Sequence, residues 1–251
     1  MTVGSPSALI EETRDLSGAT GDGLVHVPDT ATALVFRTTT AGGRGDLLVA
    51  GPRTQASYYT GKDLPICLRV RLRPGAARPV LGVPISELVD RVVPLADLWG
   101  ASGTRLERRL AGIGGDRGLI LDHLDAALRA RAATWPPDDL TRARLVRTAA
   151  EALSARRPAH LPDLAHRLSV SERHLRHLLT EGAGLPPKSF ARITRLRRAL
   201  THGRVRSPRL AQLAATAGYY DQSHMTTEFN SLMGVPPGAF FAGRLPAPQG
   251  C

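Results

Sequence analysis

Gly184-Leu185-Pro186-Pro187-Lys188-Ser189-Phe190 and Gly234-Val235-Pro236-Pro237-Gly238-Ala239-Phe240 place a glycine, two prolines and an aromatic in the same order about 50 residues apart. Chance rarely repeats four such positions, so the last third of the chain must fold as two copies of one unit. Upstream of each run, Leu175 answers to Met225 and Leu179 to Phe229, apolar residues at helical i, i+4 spacing. Further upstream, Leu161, Leu164, Ala165 and Leu168 answer to Leu210, Leu213, Ala214 and Ala217, an i, i+3, i+4, i+7 stripe in both copies. Each unit is therefore predicted to be two short amphipathic helices around a tight turn, the pattern of a helix-turn-helix.

In the first unit a helix over about 161–168 meets the turn Ser169-Val170, and a second helix follows to about Thr180. Two start signals compete: Ser169 with Glu172 makes an S-x-x-E box, while Ser171 stands where the second helix would begin, and Ser171 is preferred within two residues. With Leu175, Leu178 and Leu179 turned inward, Arg173, Arg176 and His177 point out. Arginine suits a base-reading role because its guanidinium can pair bidentately with guanine in the major groove.

In the second unit Ser207-Pro208 supplies an N-cap and a first-turn proline, Gly218 sits at the turn, and Asp221 is placed to cap the next helix. Its outward face carries Gln222, Ser223, His224, Thr226 and Thr227, neutral groups apart from one imidazole, so weaker binding is expected from this copy. Between the units a helix over about 188–201 turns Ile193, Leu196 and Leu200 inward. Arg192, Arg195, Arg197 and Arg198 are distributed around it, and phosphate clamping is expected from some of them, with Lys188 and Arg195 counted among the DNA contacts. A rigid connector of this length would let two recognition helices enter successive major grooves about 34 Å apart.

The stretch from about Leu145 to Arg244 resembles the DNA-binding domain of the AraC/XylS family of bacterial transcription regulators. Gly218-Tyr219-Tyr220-Asp221-Gln222-Ser223-His224, then Phe229 and Gly234-Val235-Pro236-Pro237, carry the most specific part. The resemblance covers about two fifths of the chain and implies seven helices, two helix-turn-helix units joined by a linker helix, and base contacts from the exposed positions above. Thr227 departs from the pattern, since relatives often carry a basic residue there. Less specifically, Ala50-Gly51-Pro52-Arg53-Thr54, Arg71-Leu72-Arg73-Pro74-Gly75-Ala76, Leu81-Gly82-Val83-Pro84 and Val93-Pro94-Leu95-Ala96-Asp97-Leu98-Trp99-Gly100 resemble β-rich N-terminal domains that accompany this DNA-binding domain. For those relatives the resemblance implies a sensing or oligomerising role and names no ligand.

Charge separates the two halves. Residues 1–135 hold 16 Arg and Lys against 14 Asp and Glu, whereas residues 136–251 hold 17 against 8. A basic half that carries the repeat matches the electrostatic footprint of a phosphate-backbone binder. Two cysteines, Cys67 and Cys251, do not make a disulfide framework and fit a reducing cytoplasm. No apolar stretch approaches the roughly 18 residues that span a bilayer, and the first 20 residues lack the layout of a signal peptide, so no membrane partner is expected.

Ahead of the repeat, residues 1–23 are rich in Gly, Ser and Thr and are expected to be a flexible lead-in. Short β-type runs follow at 33–36, 46–50, 55–59 and 66–72, punctuated by glycine and proline. The last alternates strictly, with Cys67, Arg69 and Arg71 on one face and Ile66, Leu68, Val70 and Leu72 on the other, which predicts a half-buried strand in a small antiparallel sheet or barrel. Helical spacing in Leu106 with Leu110, and in Leu121, Leu124 and Leu128, predicts a helix pair that packs on the sheet or against a twin in a homodimer. Trp135-Pro136-Pro137-Asp138-Asp139 is the best boundary, its aspartates placed to cap a helix over 140–155.

The expected fold is thus α+β with two domains: a lead-in at 1–23, a β-rich sensor or dimerisation domain at 24–135, an all-α DNA-binding domain at 140–244, and a tail at 245–251. The expected function is sequence-specific promoter binding, with double-stranded DNA as partner, RNA polymerase and a small-molecule effector as further candidates, and no cofactor. Arg53, Arg69 and Arg71 are the candidates for an anionic effector, since guanidinium forks recognise carboxylate and phosphate, although a solvated strand face explains them as well. His166, His174 and His177 lack a fourth ligand and are not read as a metal site, and Cys67 is read as an inert core thiol. An enzyme is disfavoured, because the first 135 residues offer only His26 and His123 for a metal and no G-x-S-x-G or Walker loop occurs. An architectural DNA-binding protein and, less well supported, a cupin-like enzyme fused to a DNA-binding domain stay open as alternatives.

Overall fold

The computed structural model of the chain describes residues 9–18, 24–39, 44–61, 64–203 and 209–248. Its front part consists of β1 (Ile10–Asp15), β2 (Leu24–His26), β3 (Ala33–Thr38), β4 (Gly45–Ala50), β5 (Ser57–Tyr59) and β6 (Ile66–Leu72). These are followed by α1 (Ala77–Leu81), a 3-10 turn at Ile85–Leu88, β7 (Val92–Pro94), α2 (Leu95–Trp99), α3 (Ala101–Ala111) and α4 (Arg117–Ala132). Five strands form one antiparallel sheet in the order β1-β6-β3-β4-β7, and β2 pairs with β5 in a separate ribbon. Strand alternation sets the register: Leu34 opposes both Val49 and Val70, and Phe36 opposes both Leu47 and Leu68. That apolar face is covered by Val80, Leu81, Leu95, Leu106, Leu110, Ile120, Leu124 and Leu128 from the four helices.

Three expectations change here. Ile10–Asp15, read as part of a lead-in, is an ordered edge strand that pairs with β6; an edge has one neighbour, so its charged composition is tolerated. β6 is not half-buried, because Cys67 and Arg71 on its second face are covered as well. Leu124 and Leu128 are both 1% exposed within the N-terminal core, so the stripe considered as a homodimer seam is occupied inside the chain and only Leu121 remains half-buried.

The second part is all helix: α5 (Pro137–Ser154), α6 (Leu161–Arg167), α7 (Glu172–Ala183), α8 (Pro187–His202), α9 (Leu210–Ala217), α10 (Gln222–Met233) and α11 (Pro237–Phe241). Proline opens α5, α8 and α11 within the first helical turn, where its missing N–H costs nothing. Asp138 and Asp139 lie inside the first turn of α5 and make no side-chain cap, since the helix starts three residues earlier than expected. Val146, Ala149, Leu153, Leu175, Leu179, Phe190, Ile193, Leu196 and Phe229 form the main helical core, and Leu213, Ala214, Ala217, Tyr219 and Met225 a smaller one beside α9. α5 and α7 approach so closely that a side chain at Gly182 would meet Val146.

The two domains are fastened to each other at named points. The Ala56 N–H donates to the Leu232 carbonyl at 2.8 Å and the Tyr58 hydroxyl to the Met233 carbonyl at 2.6 Å, which caps the last turn of α10 from β5 and the residue preceding its strand. Arg78 of α1 lies 3.4 Å from Glu181 and 3.8 Å from Asp139. The densest point is Asp29, whose side chain is 5% exposed and whose Oδ2 lies 2.7 Å from Arg69, 2.5 Å from Arg71 and 3.1 Å from Arg197 of α8. Its Oδ1 accepts the Ala31 N–H at 3.1 Å. Burial pushes the Asp29 carboxyl up, but the Arg71, Arg197 and Arg69 guanidinia outweigh it and hold the pKa below the ordinary value.

Two outcomes are expected. Gly75 has φ +85 and faces the Ala143 carbonyl of α5, so Gly75→Ala combines left-handed strain with a backbone clash and should cost about 1 to 3 kcal/mol in denaturant unfolding. Asp29→Asn leaves three guanidinia without their shared anion and should cost about 3 to 5 kcal/mol at neutral pH. Because the folded pKa of Asp29 is depressed, its contribution is full above the unfolded value of about 3.9 and is lost as pH falls through the folded value. The stability gap between wild type and Asp29→Asn should therefore shrink on acidification below about pH 4, as followed by urea titrations at several pH values.

Candidate nucleic-acid interface

Both repeat units take the form their sequence demands. In the first, α6 ends at Arg167, Ser169 adopts φ 55, the Val170 N–H donates to the Ala165 carbonyl at 3.0 Å, and α7 begins. Ser171 is the N-cap, its hydroxyl accepting the His174 N–H at 3.2 Å, which resolves the two competing start signals in its favour. In the second, Gly218 adopts φ 88, the Tyr219 N–H donates to the Ala214 carbonyl at 2.9 Å, and Asp221 caps α10 by accepting the His224 N–H at 2.7 Å. The Ser207-Pro208 start signal lies outside the described residues.

On α7, Leu175, Leu178 and Leu179 are buried, while Ser171, Glu172, Arg173, His174, Arg176 and His177 are exposed. Arg176 lies 3.3 Å from Glu172 in an exposed i, i+4 pair, a contact weak enough to exchange for a DNA acceptor. His174 and His177 rim a cleft of about 180 Å³ between α1, α5 and α7 that Arg78, Asp139, Arg142 and Glu181 also line. Among the described residues no three His, Cys, Asp or Glu side chains come together as metal ligands, so His166, His174 and His177 form no joint site.

On α10 the five expected contacts divide. Gln222, Ser223 and Thr227 are exposed, but His224 and Thr226 are half-buried and engaged within the domain. The His224 ring meets the Tyr219 ring edge-on at 5.5 Å, and its Nε2 lies 3.5 Å from Glu228. The Thr226 hydroxyl donates back to the Gln222 carbonyl at 2.9 Å. Burial pushes the Tyr219 phenol up, with the Glu228 carboxylate adding to the shift.

The linker helix holds the largest difference from expectation. Arg192 lies 3.2 Å from Glu228, and Arg195 stands over the Tyr219 ring at 5.2 Å with Nη1 3.9 Å from Glu228. Arg197 reaches Asp29, and Arg198 donates to the carbonyls of Ala217 and Ser154, each at 2.7 Å. All four arginines of α8 are thus committed inside the molecule, including Arg195, which was expected at the phosphate backbone. Lys188 at the start of α8 is exposed. Of the effector candidates, Arg69 and Arg71 share Asp29, and Arg53 donates to the Ser57 hydroxyl at 3.1 Å. Asp29 and Tyr58 carried no local motif: Asp29 lies in the connection between β2 and β3, and Tyr58 sits within the short strand β5.

Residues 164–243 match the family model of a helix-turn-helix domain, and residues 18–94 match that of a domain of unknown function, DUF6597. No curated protein matches the chain. Among solved structures, a transcriptional regulator with an AraC-type DNA-binding domain from Chromobacterium violaceum is 20% identical over 43% of this chain and 94% of its own, with TM-score 0.36. The DNA-binding domain of AdpA, a global transcriptional factor solved with a target DNA, is 20% identical over 41% of this chain and 91% of its own, with TM-score 0.36. ToxT from Vibrio cholerae O395 is 11% identical over 95% of each chain, with TM-score 0.43. With two capped helix-turn-helix units on one linker helix, and a family match that spans both, the C-terminal part of the chain is a helix-turn-helix domain of the AraC type.

Proposed function

We propose that this chain controls transcription by binding promoter DNA in a sequence-specific manner, with α7 and α10 in successive major grooves on one side of the duplex. The observation that carries the reading is the exposed face of α7. Arg173 and Arg176 are exposed at the N-terminal half of a capped helix whose opposite side is fully buried, Arg176 held only by its exposed pair with Glu172. Base discrimination comes mainly from these two arginines, because α10 presents only Gln222, Ser223 and Thr227 from the expected set. Lys188 supplies a backbone contact at the edge of the first groove. The reaction is binding and requires no cofactor, and an effector reading of Arg53, Arg69 and Arg71 draws no support from guanidinia already committed to Asp29 and Ser57.

Selection of the purified chain against a randomised duplex pool at near-physiological salt tests this reading. Two short boxes about one helical turn apart are expected; retention of DNA without any enriched sequence would instead favour the architectural alternative. Arg176→Ala should cost about 1 to 3 kcal/mol at one base position. An equal loss on every sequence, with the salt slope reduced, would reassign Arg176 to a phosphate.

The linker arginines give the opposite signature. Arg198→Ala strands the Ala217 and Ser154 carbonyls and should lower the melting temperature while leaving the salt slope of DNA binding unchanged. A slope smaller by about one with intact stability would make Arg198 a phosphate clamp.

A further inference from the structure

The two units are not identical at the turn, and the difference is one residue. From the left-handed Ser169 to the N-cap Ser171 the chain advances two positions, but from the left-handed Gly218 to the N-cap Asp221 it advances three. The matching hydrogen bonds fix the alignment: Val170 N–H to Ala165 corresponds to Tyr219 N–H to Ala214. Val170 and Tyr219 also play the same part, one half-buried and one buried against the helices of their unit. Tyr220 is therefore the inserted residue, with no counterpart in the first unit.

Its side chain is 92% exposed, whereas every other Phe, Trp and Tyr of the chain is buried or half-buried. The backbone on either side is held, since the Tyr220 N–H points to the His224 Nδ1 at 3.5 Å and Asp221 caps the helix. Among the described residues the phenol itself has no hydrogen-bond or ring partner. A fixed backbone that projects an unpartnered aromatic beside the start of α10 leaves that ring for something outside the fold. The neighbouring exposed face of α10, with Gln222, Ser223, Thr227 and Asn230, carries no cation. A second head built this way lacks the arginines that anchor the first.

We propose that Tyr220 is the backbone anchor of the second head: its hydroxyl donates to a phosphate oxygen at the groove edge and its ring lies against the adjoining deoxyribose. The inference rests on the DNA-binding reading above. Tyr220 precedes the cap, outside the helix that enters the groove, which suits a contact to phosphate and sugar and not to a base edge. It sets how deeply α10 seats and carries no sequence information.

The test uses the full chain, a duplex enriched by selection, and a scrambled duplex of equal length, with binding read by fluorescence anisotropy over a salt series. Tyr220→Ala should weaken binding about tenfold on both duplexes and Tyr220→Phe about threefold, since the second removes only the donated hydrogen bond. The salt slope should not change, because no cation is lost, and the melting temperature should not change, because the ring is exposed. Wild-type affinity in Tyr220→Ala, a loss confined to one base position, or a lowered melting temperature would overturn the proposal. Arg176→Ala serves as the reference: a loss there with Tyr220→Ala intact sinks the anchor and keeps the DNA-binding reading. A wild-type chain that selects no duplex sinks both.

Discussion

One buried carboxylate draws arginines of both domains to a single point. Asp29 sits between β2 and β3, yet its Oδ2 serves two arginines of the interior strand β6 and one of the linker helix α8. Three like charges converging on one buried point repel each other, and the shared anion, with Glu11 and Glu12 beside Arg71, offsets that repulsion. The second face of the sheet can be buried against a helical domain for this reason, although it carries Arg69 and Arg71 where apolar residues would be expected. Removal of the anion would turn the same surface from an adhesive into a repulsive one.

The arginines of α8 extend the same economy. A helix with Arg192, Arg195, Arg197 and Arg198 on its surface invites a phosphate-clamp reading, and the excess positive charge of the C-terminal half supports it. Each of the four instead ends on a partner in the fold: Glu228, the Tyr219 ring, Asp29, or the carbonyls that close α5 and α9. Guanidinium suits this use because its planar fork satisfies two acceptors at once. Basic charge in this domain is therefore partly structural cement, while Arg142, Arg144 and Arg147 of α5, Arg173 and Arg176 of α7 and Lys188 are among the cations that reach outward.

The repeat made the C-terminal domain legible. Gly218, Asp221, Ser171 and the two Pro-Pro runs are local signals, each acting within a turn of its own position, so cap and turn followed from sequence. β3, β4 and β6 were legible for a similar reason, since alternation and glycine boundaries are local. What could not be read was whatever depends on a distant partner. The strand β1 hides behind a charged composition and exists only because β6 lies beside it. The leucines of α4 fit a dimer seam as well as a core until the sheet that covers them is known. Arg195 fits DNA as well as Tyr219, and His224 and Thr226 point outward on a helical wheel that knows nothing of Glu228 or of the Gln222 carbonyl.

Residues 52–58 bear on both heads from behind. Pro52 lies against Gly184, the left-handed cap that closes α7, while Ala56 and Tyr58 close the last carbonyls of α10. One short stretch of the N-terminal domain thus bridges the carboxyl ends of α7 and α10, while the capped amino ends of both carry exposed residues. Mechanically this is a yoke: the two helix ends rest on one short stretch, so Pro52 at one end of it and Tyr58 at the other give α7 and α10 a common footing.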